Sequence, residues 1–279
     1  EHGINVIHHH YLSYLMIAVF RIGRAFGIPQ IYTYHMSDEL LTQPWFMRPL
    51  RSLVHSLAIK QYNRFDRIIC PSKIVGRQIQ AMGVKQEVLG IVNPVEMKGL
   101  LLPFPTRSTG AFQILYVGRL APEKNLPLLL RAFAKLQTKN PSAALCIAGE
   151  GAERDRLIEL SRSLGILGQT QFLGHLEHPD LVRHFADCDV FVLPSVMEVQ
   201  GIAAIEAMRF AKPVIVTDAI GCAEELVDDN GFIVDSKNEN RLVEKLELLM
   251  DSYELRERMG RSSLVKSALV KSVSALAIA

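Results

Sequence analysis

Short runs of apolar and β-branched residues alternate with helix-forming segments along all 279 residues, and this alternation limits the fold more than any other feature. Strands read as Asn5–His8, Gln30–Tyr34, Arg67–Cys70 and Val88–Val92. Further on come Phe112–Val117, Ala143–Ala148, Gln171–Leu173, Asp189–Leu193, Lys212–Thr217 and Phe232–Val234. Between them the patterning predicts helices over Leu12–Phe26, Met47–Arg64, Leu126–Leu136, Ala152–Leu164 and His178–Ala186, and over Asn240–Met259. Gly27 is placed to end the first of these, and Ser72 to cap a helix running to Met82. Strands alternating with helices call for parallel sheets covered on both faces. The expected fold class is therefore α/β.

One segment breaks the pattern. Pro94, Gly99, Pro103, Pro105, Thr106, Ser108 and Gly110 crowd together, which marks a boundary. The chain then divides into a first domain over residues 1–95, a linker over 96–110, a second domain over 111–262 and an atypical, low-complexity tail over 263–279. No helical signal is evident in that tail. Opening at Glu1 without an initiator Met, the chain reads as partial, with the first domain incomplete.

The totals exclude several classes. A formal net charge of +2 offers no electrostatic case for nucleic acid. The apolar stretch Tyr11–Phe20 meets Arg21 and Arg24 well short of the ~20 residues a bilayer span needs. Packing of that helix on its own sheet is the expectation, with peripheral contact at the inner membrane face as the alternative and a cytoplasmic location overall. Cys70, Cys146, Cys188 and Cys222 are widely spaced and read as reduced thiols rather than as a disulfide or metal set. Asp187-Cys-Asp189 abuts a buried strand and reads as a helix-to-strand turn. His8-His-His10 lies on a strand, where neighbours point to opposite faces, which argues against one zinc site. Neither Gly-x-Gly-x-x-Gly after a strand nor a Walker A pattern occurs, so dinucleotide redox and P-loop chemistry lack support. The stripe of Leu128, Leu129, Ala132 and Phe133 reads as core.

Two segments carry chemistry. Glu198 and Glu206 stand eight residues apart, between an apolar strand and the next strand at Lys212. Glu198 falls in a loop at a strand's carboxyl end, where open α/β sheets bind ligands. Gly201 falls at a helix start, whose backbone N–H groups attract phosphate. Glu206 lies further into that helix. Such a site suits a sugar nucleotide, although two carboxylates at this spacing are equally compatible with a solvated surface. The second segment is Gly118-Arg-Leu-Ala-Pro-Glu-Lys-Asn125, also after a strand. A guanidinium at Arg119 and an ammonium at Lys124 are suited to neutralising a diphosphate with no metal ion. Two charges on a solvated loop would be the plainer reading.

Gly118-Arg-Leu-x-x-Glu-Lys124, Gly149-Glu-Gly151, Phe172-Leu-Gly174, Leu193-Pro-Ser195 and the two spaced glutamates follow one another in order. Together they resemble the nucleotide-sugar domain of retaining glycosyltransferases of the GT-B architecture, family four (group 1), over about residues 110–250. Residues 1–95 resemble the second half of that family's acceptor domain. The resemblance implies two Rossmann-like domains and transfer of a sugar, of the hexosyl type, from a nucleoside diphosphate to an acceptor hydroxyl with retained configuration. It implies no cofactor. In it Arg119 and Lys124 hold the diphosphate as it leaves, and Glu198 binds hydroxyls of the donor sugar. Gly201 and Ile202 present N–H groups to phosphate, Glu206 binds ribose, and His35 faces the reacting sugar. Gly118, Gln200 and Leu173, the last within the base-seating segment Phe172–Gly174, complete the donor contacts. The sequence departs from the family in lacking its glycine-rich loop after the first acceptor-domain strand, in lacking a recognisable closing helix over Ser262–Ala279, and in Ala211, where glycine is common. The acceptor stays open among saccharide, lipid and small metabolite. Two alternatives to transfer are a sugar-nucleotide epimerase of the same architecture and a non-catalytic nucleotide-sugar-binding module.

Overall fold

The computed structural model describes residues 3–10, 14–35, 51–93 and 110–276. The linker expected over 96–110 falls, except for Gly110, outside the described residues. The chain divides into two compact units. Unit 1 comprises Glu1–Asn93, Glu198–Gln200 and Val273–Ala279; unit 2 comprises Pro94–Met197 and Gly201–Ser272.

Unit 1 contains β1 (Ile7–His9), α1 (Tyr14–Ala25), β2 (Gln30–Thr33), α2 (Arg51–Tyr62), β3 (Arg67–Cys70), α3 (Lys73–Ala81) and β4 (Val88–Gly90). Its four strands pair in parallel in the order β1-β2-β3-β4. Phe20, Tyr32, Tyr62, Phe65 and Ile68 build the core. Ser72 caps α3, its Oγ accepting from the Val75 N–H at 3.1 Å. Gly27, at φ 65°, ends the turn after α1 in the left-handed region.

Unit 2 contains β5 (Gln113–Val117), α4 (Leu126–Lys139), β6 (Ala144–Ala148), α5 (Arg154–Ser163), β7 (Thr170–Gly174), α6 (His178–Asp187) and β8 (Val190–Leu193). It continues with α7 (Ile202–Arg209), β9 (Val214–Thr217), α8 (Ala223–Leu226), β10 (Gly231–Val234), α9 (Glu239–Asp251) and α10 (Tyr253–Leu276), the last of which counts with unit 2 only as far as Ser272. The strand order is β10-β9-β8-β5-β6-β7, every named pair parallel.

Alternation along each strand builds the layers. Ile114 and Tyr116 of β5, Leu145 and Ile147 of β6, Val190 and Val192 of β8 and Ile215 of β9 enter one apolar cluster. Leu128, Leu129, Ala132 and Phe133 of α4, Leu157 of α5 and Leu242 and Leu246 of α9 close it. Leu115, Cys146, Phe191, Leu193, Val214 and Val216 point the other way. They pack under Phe185 of α6, Ala204, Ile205, Ala207 and Met208 of α7, and Leu226 of α8. The sheet is thus buried on both faces, as the near-continuous apolar strands require. All four cysteines are buried thiols. Burial, with a smaller push from Asp189 and against the pull of Lys212, raises the Cys188 thiol to about 12.

Asp187-Cys-Asp189 is a structural turn, as expected. Asp189 is buried, its Oδ2 accepts from the Gln113 N–H at 2.8 Å, and Arg256 of α10 lies 3.5 Å from its carboxylate. Ser262–Leu276 needs a correction. Sequence patterning gives it no helix, yet α10 runs unbroken to Leu276. This stretch has no Pro or Gly to stop a helix. Ser263 is also held to the unit, donating from Oγ to the Lys212 carbonyl at 2.7 Å.

Ala211 has φ 56°, in the left-handed region. Gly260 of α10 passes directly over it: a Cβ there would stand 2.1 Å from the Ala211 carbonyl oxygen. A left-handed alanine costs roughly 1–2 kcal/mol. A glycine regains about 0.4–1 kcal/mol of freedom in the unfolded chain. The first effect is larger, so Ala211→Gly should stabilise the protein by up to about 1 kcal/mol. Gly260→Ala should destabilise it by at least about 1–3 kcal/mol, as overpacking does. Urea unfolding measures both, and an Ala211→Gly midpoint at or below that of the parent would refute the strain.

Candidate functional site

In unit 2 the chain order reverses between β5 and β8. From β5 it proceeds outward through β6 and β7, and from β8 outward through β9 and β10. The carboxyl-end loops of these two central strands leave in opposite directions, and the crevice they open is where α/β sheets take ligands. Both segments that carry charge in the sequence reading emerge here.

The loop after β5 holds Gly118, Arg119 and Lys124. It is pinned at several points. Tyr116 donates its hydroxyl to the Arg119 carbonyl at 2.8 Å, and Leu120 N–H reaches the Glu150 carbonyl at 2.8 Å. A tight turn over Pro122–Lys124 closes with Asn125 at φ 49°. Gly149 and Gly151, at the end of β6, let the neighbouring loop lie against this one. A Cβ at Gly149 would stand 2.0 Å from the Gly118 carbonyl oxygen, and one at Gly151 2.2 Å from that of Leu120. Arg119 is 72% exposed and donates from Nη2 to Glu123 Oε1 at 3.0 Å; the Glu123 side chain is only 7% exposed. Lys124 is half-buried on the same turn.

The loop after β8 approaches from the other side. Val196 N–H donates to the Glu123 carbonyl at 2.9 Å, joining the two loops. Thr217 Oγ1 donates to the Ser195 carbonyl beneath them. Gly201 begins α7 at φ 68°, where a Cβ would strike Leu226 at 2.7 Å. Ile202 at the helix start is exposed. Glu206, four residues on, shares its face of α7. Desolvation raises the Glu206 pKa, and His178 and Arg209 pull it back down. Leu173 packs at the end of β7, where Gly149 N–H donates to the Gly174 carbonyl at 2.7 Å.

Glu198 and Gln200 belong to unit 1. Val199 packs on that unit's core. The Gln200 amide is committed to Asn93: its Oε1 accepts from Asn93 N–H and Nδ2 at 3.2 and 2.7 Å, and its Nε2 donates to the Asn93 carbonyl at 3.0 Å. Glu198 is half-buried.

His35 follows β2 in unit 1. It stacks on His10 at 5.1 Å, with one N–H shared between His10 Nδ1 and His35 Nε2 at 2.8 Å. Strand alternation divides the three adjacent histidines. His9 is buried, bonded to Gln30 and packed on Phe65. His8 lies on the opposite side with His10, 4.3 Å between rings, and shares a hydrogen with Thr33 Oγ1 at 2.6 Å. Burial lowers the pKa of both His8 and His35, and neighbouring histidines lower them further. Among the described residues no group of three or more His, Cys, Asp or Glu side chains is placed to hold a metal ion, and no helix is long and apolar enough to cross a membrane.

A separate cavity of about 450 Å³ is lined by Asp228, Asp229, Asn230, Arg261 and Lys266. It sits at the amino end of β10, opposite the edge that carries the site. Sequence reasoning missed the roles of Glu123 and Asn93. The four-residue spacing from Arg119 was a signal for the first; nothing local announced the second.

Residues 103–264 match the family Glycosyl transferases group 1, and residues 1–97 match Glycosyltransferase Family 4. The glycogen synthase of Mycobacterium tuberculosis is 29% identical over 212 residues, which cover 74% of this chain and 50% of the relative. The chain therefore spans only part of that protein's length. Sucrose-phosphate synthase from Thermosynechococcus elongatus superposes with a TM-score of 0.81 at 19% identity, over 98% of this chain and 72% of that one. HepE from Anabaena, in complex with UDP, superposes with a TM-score of 0.79 at 19% identity, over 98% and 77%. These structures share the fold expected from the sequence, two parallel-sheet α/β domains of the GT-B class. With more than half of its residues matched by the first of the two families, the chain belongs to the glycosyl transferases of group 1.

Proposed function

We propose that this glycosyltransferase moves a hexosyl group from a nucleoside diphosphate to an acceptor hydroxyl, with retained configuration and with Arg119 and Lys124 supplying the positive charge. One observation carries the reading. Two cations on the β5 loop and the amino end of α7 flank the switch point, and the Val196-to-Glu123 hydrogen bond joins their loops.

Breaking the anomeric bond leaves positive charge on the sugar and negative charge on the diphosphate. Fixed donors act best where charge develops in the transition state. Arg119, Lys124 and the N–H groups of Gly201 and Ile202 would meet that negative charge, with Gly118 giving the diphosphate a close backbone approach. Glu206 would accept from ribose hydroxyls, Leu173 would face the base, and Glu198 would accept from the donor sugar. Gln200 would fix the Glu198 loop through Asn93. His35, whose pKa burial and His10 lower, would exchange hydrogen bonds with the reacting sugar. In this reading the departing phosphate oxygen takes the acceptor proton and attack comes from the same face. The UDP complex of HepE makes uridine diphosphate sugars the first donors to test, against saccharide, lipid and small-metabolite acceptors.

Arg119→Ala should lower turnover by roughly 10²–10³, comparable to the loss of one stabilising donor. Release of nucleoside diphosphate in the presence of acceptor measures it, and unchanged turnover refutes the assignment. A new sugar nucleotide formed from donor alone would instead indicate epimerisation.

Glu206 generates a pH prediction. Ionised, its carboxyl group accepts from hydroxyls with both oxygens and a full charge; protonated, it keeps only weaker, neutral acceptor capacity. Donor affinity should therefore fall as pH drops through a midpoint above the ordinary glutamate range, and Glu206→Gln should flatten that limb. Calorimetric titration with UDP between about pH 7 and pH 4 reads both. The stability sign is opposite. With the folded pKa raised, the Glu206 contribution to folding is fully present below the unfolded pKa and is lost as pH rises through the folded one. Glu206→Gln should consequently unfold at a higher temperature than the parent near neutral pH.

A further inference from the structure

We infer that Glu123 is the positioning residue for Arg119: a buried carboxylate that holds the guanidinium from behind so that its remaining N–H groups meet the leaving diphosphate. The inference rests on the proposed phosphate role of Arg119 and assigns to Glu123 a function that the motif alone does not.

Three observations carry it. First, the pair is unequal in exposure: 72% for the arginine side chain and 7% for the glutamate, across 3.0 Å. Mutual solvation on a surface would leave both ends wet. Here one end is sunk in the protein and the other is presented outward. Second, the contact uses Nη2 alone. A guanidinium has five N–H donors in a rigid planar fork. Tethering one nitrogen narrows the range of the group and leaves the other donors for a bidentate anion contact. Third, the backbone that carries the glutamate is held on both sides. Its turn is closed by Lys124 N–H to the Ala121 carbonyl at 2.9 Å and Asn125 N–H to the Pro122 carbonyl at 3.1 Å. Its own carbonyl accepts from Val196 N–H at 2.9 Å. The buried carboxylate is therefore carried by a fixed turn, placed where the two loops of the switch point join.

A long arginine side chain loses substantial rotamer freedom when it is immobilised. Glu123 meets that cost in the resting protein rather than at donor binding, which is preorganisation. The arrangement also has a thermodynamic signature. Removing Arg119 leaves a buried carboxylate without its counter-charge, a defect expected to be destabilising whether or not any donor is bound.

The test is a double-mutant cycle between Arg119→Ala and Glu123→Gln, with Glu123→Asp as a variant that keeps the charge but withdraws it by one methylene. Glu123→Gln and Glu123→Asp should each lower turnover roughly ten- to a hundredfold, as small misplacements do. In the Arg119→Ala background Glu123→Gln should cause no further loss. Arg119→Ala should lower the melting temperature, and adding Glu123→Gln should restore part of it. If Glu123→Gln costs the same turnover with and without Arg119, it acts through the fold and the positioning role is overturned, while the phosphate role of Arg119 stands. If both Glu123 variants keep full turnover, the positioning role is likewise overturned. If Arg119→Ala alone leaves turnover unchanged, the phosphate role itself fails. The melting temperatures then still report whether the buried carboxylate needs its partner.

Discussion

Unit 2 of this molecule depends on a six-stranded parallel sheet that is apolar on both faces. A sheet buried on two sides has no surface on which to place polar chemistry. Function is displaced to the loops at the strand ends, and the order β10-β9-β8-β5-β6-β7 determines which of those loops part from one another. They are the loops after β5 and β8. Every charged or helix-end group named for the diphosphate lies on one of these two segments. The same constraint explains the glycines. Gly149 and Gly151 carry no side chain because the loop bearing Arg119 occupies the space a Cβ would take. Close backbone packing makes the position of the guanidinium a property of the sheet.

Charge on this edge is balanced rather than simply accumulated. Arg119 has a carboxylate behind it, and Glu206 sits among His178 and Arg209 while desolvation opposes its ionisation. A site with a bare pair of cations would attract any anion. One whose cations are already oriented gains most when the incoming charge matches the geometry. In unit 1 the histidines follow a different logic. Burial and then neighbouring histidines lower the pKa of His8 and His35, which favours their neutral, hydrogen-bonding forms.

Much of this was legible in the sequence because it is local. Strand and helix alternation, the Ser72 cap, the core stripe of α4, the turn at Asp189 and the start of α7 at Gly201 all depend on residues within a few positions of one another. What escaped is long-range or conditional. The commitment of Gln200 to Asn93 joins residues 107 apart in the chain. The helical character of Ser262–Leu276 owes part of its hold to Ser263 meeting the Lys212 carbonyl, and to Gly260 passing Ala211. Ala211 was visible as a departure, but its left-handed backbone was not. Glu123 stood in plain view within a charged motif. Its burial, which gives it meaning, comes from packing that no spacing encodes.

The four buried thiols have a practical consequence. Cys70 lies in the sheet of unit 1; Cys146, Cys188 and Cys222 lie in unit 2, and none is more than 8% exposed. Alkylating reagents reach a thiolate only when its surroundings open, and a thiol held as high as Cys188 stays inert until then. Each half of the molecule thus contains its own native clock. The order in which the cysteines become labelled, read by mass spectrometry, reports whether the halves breathe together or one before the other.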